Sequence, residues 1–171
     1  MPISEGSTGK VYTAISGKLT AYDGAGSPAS LELDYVQSDL TWERKGAKYA
    51  EAMDRGRHTG TPALMKTGDE NVEVSFSLLV KSFLIDGPYT PYEFLTGEGA
   101  GSALISVAGG DKYAFRLVFN LYDGENLMER LTFTPTVATS CSYKPDGKDG
   151  LATLEFKGTA HMNSPTIEDM S

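Results

Sequence analysis

Few side chains in this 171-residue chain have the identity to do chemistry: two histidines, His58 and His161, one cysteine, Cys141, and scattered carboxylates. A zinc centre needs His, Cys or carboxylate ligands at set spacings, and a nucleophile needs a base beside it. Neither histidine has such a neighbour. The run Asp54-Arg55-Gly56-Arg57-His58 has reactive types together, but in a loop it reads first as a local turn with an ion pair. Gly-Asp-Glu-Asn at 68–71 and Asp-Gly-Glu-Asn at 123–126 lack the spaced ligands and final Glu of a calcium loop. Gly97, Gly99 and Gly101 follow a helix signal instead of preceding one, so they form no phosphate cradle. Cys141 reads as a small buried apolar residue. The expectation is a protein that is not an enzyme, with no catalytic residue, metal or cofactor.

Charge offers more than chemistry does. The chain carries a net −8, with a pI near 4.7. Between Arg44 and Gly68, however, six basic residues (Arg44, Lys45, Lys48, Arg55, Arg57, Lys66) face two acidic ones (Glu51, Asp54), which leaves the remainder near −12. A basic arm on an acidic body fits the arm of one copy meeting the body of the next, because complementary charge fixes register and speeds encounter. A solvated loop is the other reading. The acidic surface argues against nucleic-acid binding outside the arm. One cysteine excludes an internal disulfide and points to a reducing compartment. The first residues lack a signal pattern, and no apolar run reaches membrane-spanning length, so no membrane contact is expected.

The elements that must position these residues are mostly strands. Residues 1–9 are small and polar and read as a flexible arm; 10–160 read as one domain, and 161–171 as a tail. A weak strand over 10–22 leads to a turn at 23–28, and a half-buried strand over 31–37 alternates Leu31, Leu33 and Tyr35 with Glu32 and Asp34. Residues 44–70 form a connection far longer than a hairpin needs. The clearest strand is 71–83, with Val72, Val74, Phe76, Leu78 and Val80 on one face. A short helix over 90–97 carries Thr90 as N-cap, Pro91 at its first position, Glu93 completing a capping box and Gly97 at its end. Residues 102–108 and 113–123 read as a hairpin, as do 129–143 and 151–160. In 129–143, Leu131, Phe133, Val137 and Cys141 alternate with Thr132, Thr134, Thr136, Ser140 and Ser142, and Pro135 marks an edge or bulge. The hydroxylated stripe suits a smooth, wetted wall, or is a plain outer face rich in β-prone Thr.

The order of Trp42-Glu43-Arg44-Lys45-Gly46, Met53-Asp54-Arg55-Gly56-Arg57, Gly68-Asp69-Glu70 stepping into the 71–83 strand, and one helix between strands resembles the major tail tube protein of long, non-contractile bacteriophage tails. The resemblance spans roughly residues 10–160. It implies a mainly β fold, a tail-tube-type β-sandwich or barrel with one short flanking helix and a long inter-strand loop. It implies hexameric rings stacked head-to-tail into a tube around a tape measure protein, with tail terminator and distal tail proteins at the ends. Such a protein resides in the virion tail, is assembled in the host cytoplasm, and lets DNA transit the lumen without specific binding. On this resemblance Arg44, Lys45, Lys48, Met53, Asp54, Arg55 and Arg57 make contacts between rings or subunits, and Glu32, Asp34, Glu73 and Glu155 line the lumen. Lys157, on the same stripe as Glu155, departs from a uniformly negative wall. Two other readings stay open. One is the tube of a contractile tail or type VI secretion apparatus. The other, from a different class, is a small-ligand β-barrel with Tyr12, Tyr22, Tyr35 and Tyr49 in its pocket, or a hydrolase with dispersed carboxylates.

Overall fold

A computed structural model describes residues 15–33, 40–52, 63–80, 88–144 and 152–170. In chain order the elements are β1 (Ile15–Tyr22), β2 (Ser30–Leu33), β3 (Thr41–Lys45), β4 (Lys48–Ala52), β5 (Ala63–Gly68), β6 (Asn71–Val80), α1 (Pro91–Thr96), β7 (Phe115–Asp123), β8 (Asn126–Lys144), β9 (Ala152–Ala160) and β10 (Thr166–Asp169). All strands but β4 and β5 join one antiparallel sheet in the order β2-β1-β7-β8-β9-β6-β3, with β10 also paired to β8.

The sheet depends on β8, which at 19 residues is long enough to serve two half-sheets. Its first part pairs with β7 from Asn126 to Thr136. Its second part pairs with β9 on the other side, from Thr136 to Lys144. The chain leaving β9 crosses the junction, where His161 N–H donates to the Pro135 carbonyl at 2.9 Å, and then pairs again as β10 along Glu129–Thr132. Thr134-Pro135 is a cis peptide at that junction.

Alternation buries one side of each half. Val72, Val74, Phe76 and Leu78 from β6, Leu154 and Phe156 from β9, Leu19 from β1, Leu117 from β7 and Phe133 from β8 share one core. Trp42 and Phe133 show that the sheet curls around it. Their strands stand three apart in the order, so a flat sheet would separate them by about 14 Å. The ring centroids are 6.4 Å apart. Phe115 and Phe156, two strands apart, likewise meet edge to face at 5.9 Å.

The helix follows its sequence signals. The Thr90 hydroxyl accepts from Glu93 N–H at 3.2 Å, and the Glu93 carboxylate accepts from Thr90 N–H at 3.0 Å. Gly97 ends the helix in the left-handed region at φ 70°. Phe94 and Leu95 enter the core, and α1 packs against β8 and β2.

The expected strand at 102–108 is replaced by a 3-10 turn (Gly99–Ala103) and an irregular segment. Both sides of β7 are already taken, by β1 and β8, so no edge remains for that segment to pair with. Its backbone is held instead by Asp23, whose buried carboxylate accepts from Ile105 N–H at 3.3 Å and from Ala29 N–H at 2.8 Å. Within the stretch 44–70, the described residues are largely in strands. β3 runs through Lys45, and β4 and β5 form a two-stranded ribbon between β3 and β6. The segment 161–171 contributes β10 and so is not a plain tail.

The hydroxylated stripe on β8 is the remaining correction. Beyond a shift at Met128 beside the β7–β8 turn, β8 carries two more register shifts, one near Thr134-Pro135 and one between Ala138 and Ser140, that each add a residue against its neighbour. The first turns Thr136 inward, where it is fully buried and its hydroxyl donates to the Phe133 carbonyl at 3.1 Å. Val137 then lies opposite Thr159, on the outer side.

Two outcomes test this architecture by urea unfolding. Phe156→Ala should cost about 3–5 kcal/mol, whereas Ile167→Ala on exposed β10 should stay within about 0.5 kcal/mol. The second concerns pH. Hydrogen bonding from Thr90 N–H holds the Glu93 carboxyl below its usual range, so its stabilising contribution is present above the ordinary carboxylate pKa and is lost as pH falls through the lowered value. Wild type should therefore lose more melting temperature than Glu93→Gln between about pH 5 and pH 3.

Candidate functional site

The outer face of β3, β6, β9 and the second half of β8 gathers the short polar side chains of the molecule. Register places Glu43 beside Glu73 and Thr159, Thr41 beside Ser75 and Lys157, and Ser77 beside Glu155 and Ser142. On this face Thr41, Glu43, Glu73, Ser75, Thr139 and Lys157, together with Trp42 and Val74, line an open groove of roughly 470 Å³. Thr41 and Ser75 hydroxyls lie 2.6 Å apart, and Thr139 donates to the Lys157 carbonyl at 3.0 Å. Much of the hydrogen-bonding capacity of the wall is thus used within the wall.

Its charges are also matched. Lys45 Nζ lies 2.8 Å from Glu43 and 3.6 Å from Glu73, and Lys144 lies 2.7 Å from Glu155. The hydrogen bond to Glu43 raises the Lys45 pKa, and the hydrogen bond from Lys144 lowers that of Glu155. Glu73 and Glu155 therefore share one face among lysines, and that face is charge-balanced. Glu32 sits on β2, at the opposite end of the strand order from β3, and pairs with Lys18 at 3.3 Å. Asp34 lies outside the described residues.

The basic residues divide similarly. Arg44 and Lys45 belong to β3, and Arg44 binds Glu70 at 2.6 Å. Lys66 on β5 pairs with Asp69 at 2.9 Å, which raises the lysine and lowers the aspartate. Lys48 on β4 is exposed and makes no ion pair among the described residues, beside Tyr49 at 58% exposure. Met53, Asp54, Arg55 and Arg57 lie outside the described residues. Sequence reading missed Glu43, Thr139 and Lys144 as parts of the face, because only cross-strand register brings them to Glu73, Lys157 and Glu155. Cys141 is half-buried, and burial pushes its thiol up to about 11, so it is a poor nucleophile. Among the described residues no three His, Cys, Asp or Glu side chains converge on a metal position.

No protein-family model matches the sequence, and no curated protein does. Solved structures do match in fold. A chain of the anti-feeding prophage cap (a tube terminating cap) superposes with a TM-score of 0.53 at 13% identity, covering 99% of both chains. A chain of an extracellular contractile injection system, the PVC sheath-tube complex in its extended state, gives 0.50 at 10% identity over 90% of this chain and 89% of that one. A chain of the anti-feeding prophage baseplate gives 0.50 at 8% identity over 96% and 99%. The chain thus has a tail-tube-type fold, mainly β with one short α-helix among the described residues.

The matched charges make a direct prediction. Lys144→Met should return the Glu155 carboxyl towards its ordinary pKa, read from the carboxyl carbon shift in a pH titration; an unchanged titration would remove the ion pair as the cause.

Proposed function

We propose that this chain is a structural, non-enzymatic subunit that polymerises as stacked hexameric rings into a tail tube, the conduit for DNA ejection. The carrying observation is the half-sheet of β3, β6, β9 and the second half of β8. It has a polar face of small, self-satisfied side chains, and no strand pairs with either of its edges among the described residues. An unpaired edge is a template for another chain, and two on one half-sheet allow head-to-tail addition that closes into a ring. The polar face then lines the lumen, where a charge-balanced wall passes a polyanion without holding it. The β4–β5 ribbon, with Lys48 outside any ion pair among the described residues and Arg55 and Arg57 in its connecting segment, reaches the next ring. The partners are further copies, a tape measure protein in the lumen, and tail terminator and distal tail proteins at the ends.

The resemblance in sequence order favours the non-contractile phage tail. A second reading, a tube subunit of a contractile apparatus, is supported by the fold neighbours, which come from contractile systems or their prophage-type relatives. The small-ligand barrel has weaker support, because the groove on this face is open to solvent where such a barrel needs an enclosed pocket.

Negative-stain microscopy of concentrated protein should reveal hexameric rings or hollow filaments, and the pair of substitutions Arg55→Glu and Arg57→Glu should block stacking while the far-UV spectrum and melting curve stay unchanged. Normal tubes from that variant would refute the role of the ribbon.

A further inference from the structure

On the opposite half-sheet, a second groove of roughly 420 Å³ lies across β1, β7, β8 and β10. Its floor is Val118, and one wall is Arg116 stacked on Tyr22, with the guanidinium carbon 4.9 Å from the ring centroid. Arg130 in the same groove is already engaged, by the Asn120 side chain at 3.0 Å and by Glu168 at 3.5 Å. Arg116 is not. Its Nε is buried without a hydrogen-bond partner, and no carboxylate among the described residues pairs with it. A guanidinium fixed on a tyrosine face and left without an anion is poised for a carboxylate from elsewhere, since its fork loses little freedom on binding.

The chain carries a matching feature. Most described carboxylates are engaged: Glu32, Glu43, Glu70, Glu73, Glu155 and Glu168 in ion pairs, Glu93 and Glu98 in hydrogen bonds around α1. Asp111, Asp123, Glu125 and Glu129 make no ion pair among the described residues, and the last three gather at the β7–β8 turn, a two-residue tip with Gly124 at φ 62°. That tip cannot reach Arg116 of its own chain. Arg116 and Asp123 lie on β7, seven residues apart, or about 23 Å along an extended strand, and Glu125 lies beyond Asp123. One end of β7 presents an unmatched cation and the other presents unmatched anions.

We infer that the Tyr22–Arg116 groove receives the Asp123–Glu125 tip of a second copy of this chain. This rests on the tube reading and adds a contact to it, because a cation and an anion at opposite ends of one strand pair head to tail and repeat without limit. Arg116→Glu and Glu125→Arg test it together. Each alone should raise the critical concentration for assembly, measured by sedimentation, by about tenfold or more, and the double variant should return it to within about threefold of wild type. Melting curves should match wild type; if Arg116→Glu unfolds, Arg116→Gln replaces it and should still raise the critical concentration. Tubes formed equally well by wild type and both single variants refute this contact and leave the tube reading standing. Single-variant defects that the double variant does not repair also refute it. Wild-type protein that never assembles refutes the tube reading and the contact with it.

Discussion

Everything in this fold depends on keeping one face of β8 inward along 19 residues while its neighbours change. Side chains alternate with a strict period of two, so a strand that changes partner midway exposes its core residues unless a residue is added or dropped. After one extra residue beside the β7–β8 turn, β8 adds one at the Thr134-Pro135 junction and another before Ser140. With those insertions Phe133, Thr136 and Cys141 all lean on the same core, although their spacing in sequence fits no single alternation. The cost is a buried hydroxyl at Thr136, which is satisfied locally by the carbonyl three residues earlier.

This explains what was legible in the sequence. β6 reads straight off its alternation, because both of its neighbours pair in register without a shift. α1 does too, since its start and stop are made by residues within one turn of it. The β8–β9 pairing was also readable, but the facing of Thr136 and Val137 was not, because a bulge is a property of two strands. The false strand at 102–108 has the same origin: its pattern is adequate, yet β7 has no free side to offer it. For the candidate site, Glu73 and Glu155 could be placed on polar faces one at a time. Their neighbours Lys45 and Lys144 could not, and those lysines change what the wall is electrostatically.

A similar lesson applies to the stretch 44–70. Counted along the chain it is a basic arm, but in space Arg44, Lys45 and Lys66 are spent on Glu70, Glu43 and Asp69 beside them. Exposed pairs of this kind contribute little to stability. Their effect is to shorten the reach of the positive field, so that any electrostatic reach of the ribbon comes from its far end and from Lys48.

The order β8, β9, β6, β3 has a further consequence. Each successive pair is antiparallel, so across four strands the two outermost run in opposite directions. An even count of this kind makes every copy a tile whose left and right borders have opposite polarity. Tiles laid side by side preserve the up-and-down alternation for five, six or seven copies alike, with no change in hydrogen-bonding pattern. Strand polarity therefore permits closure but does not choose its number. That choice falls to the angle at which neighbouring tiles meet, so the girth of a closed ring would be set by side-chain packing across its seams and not by the bonds along them.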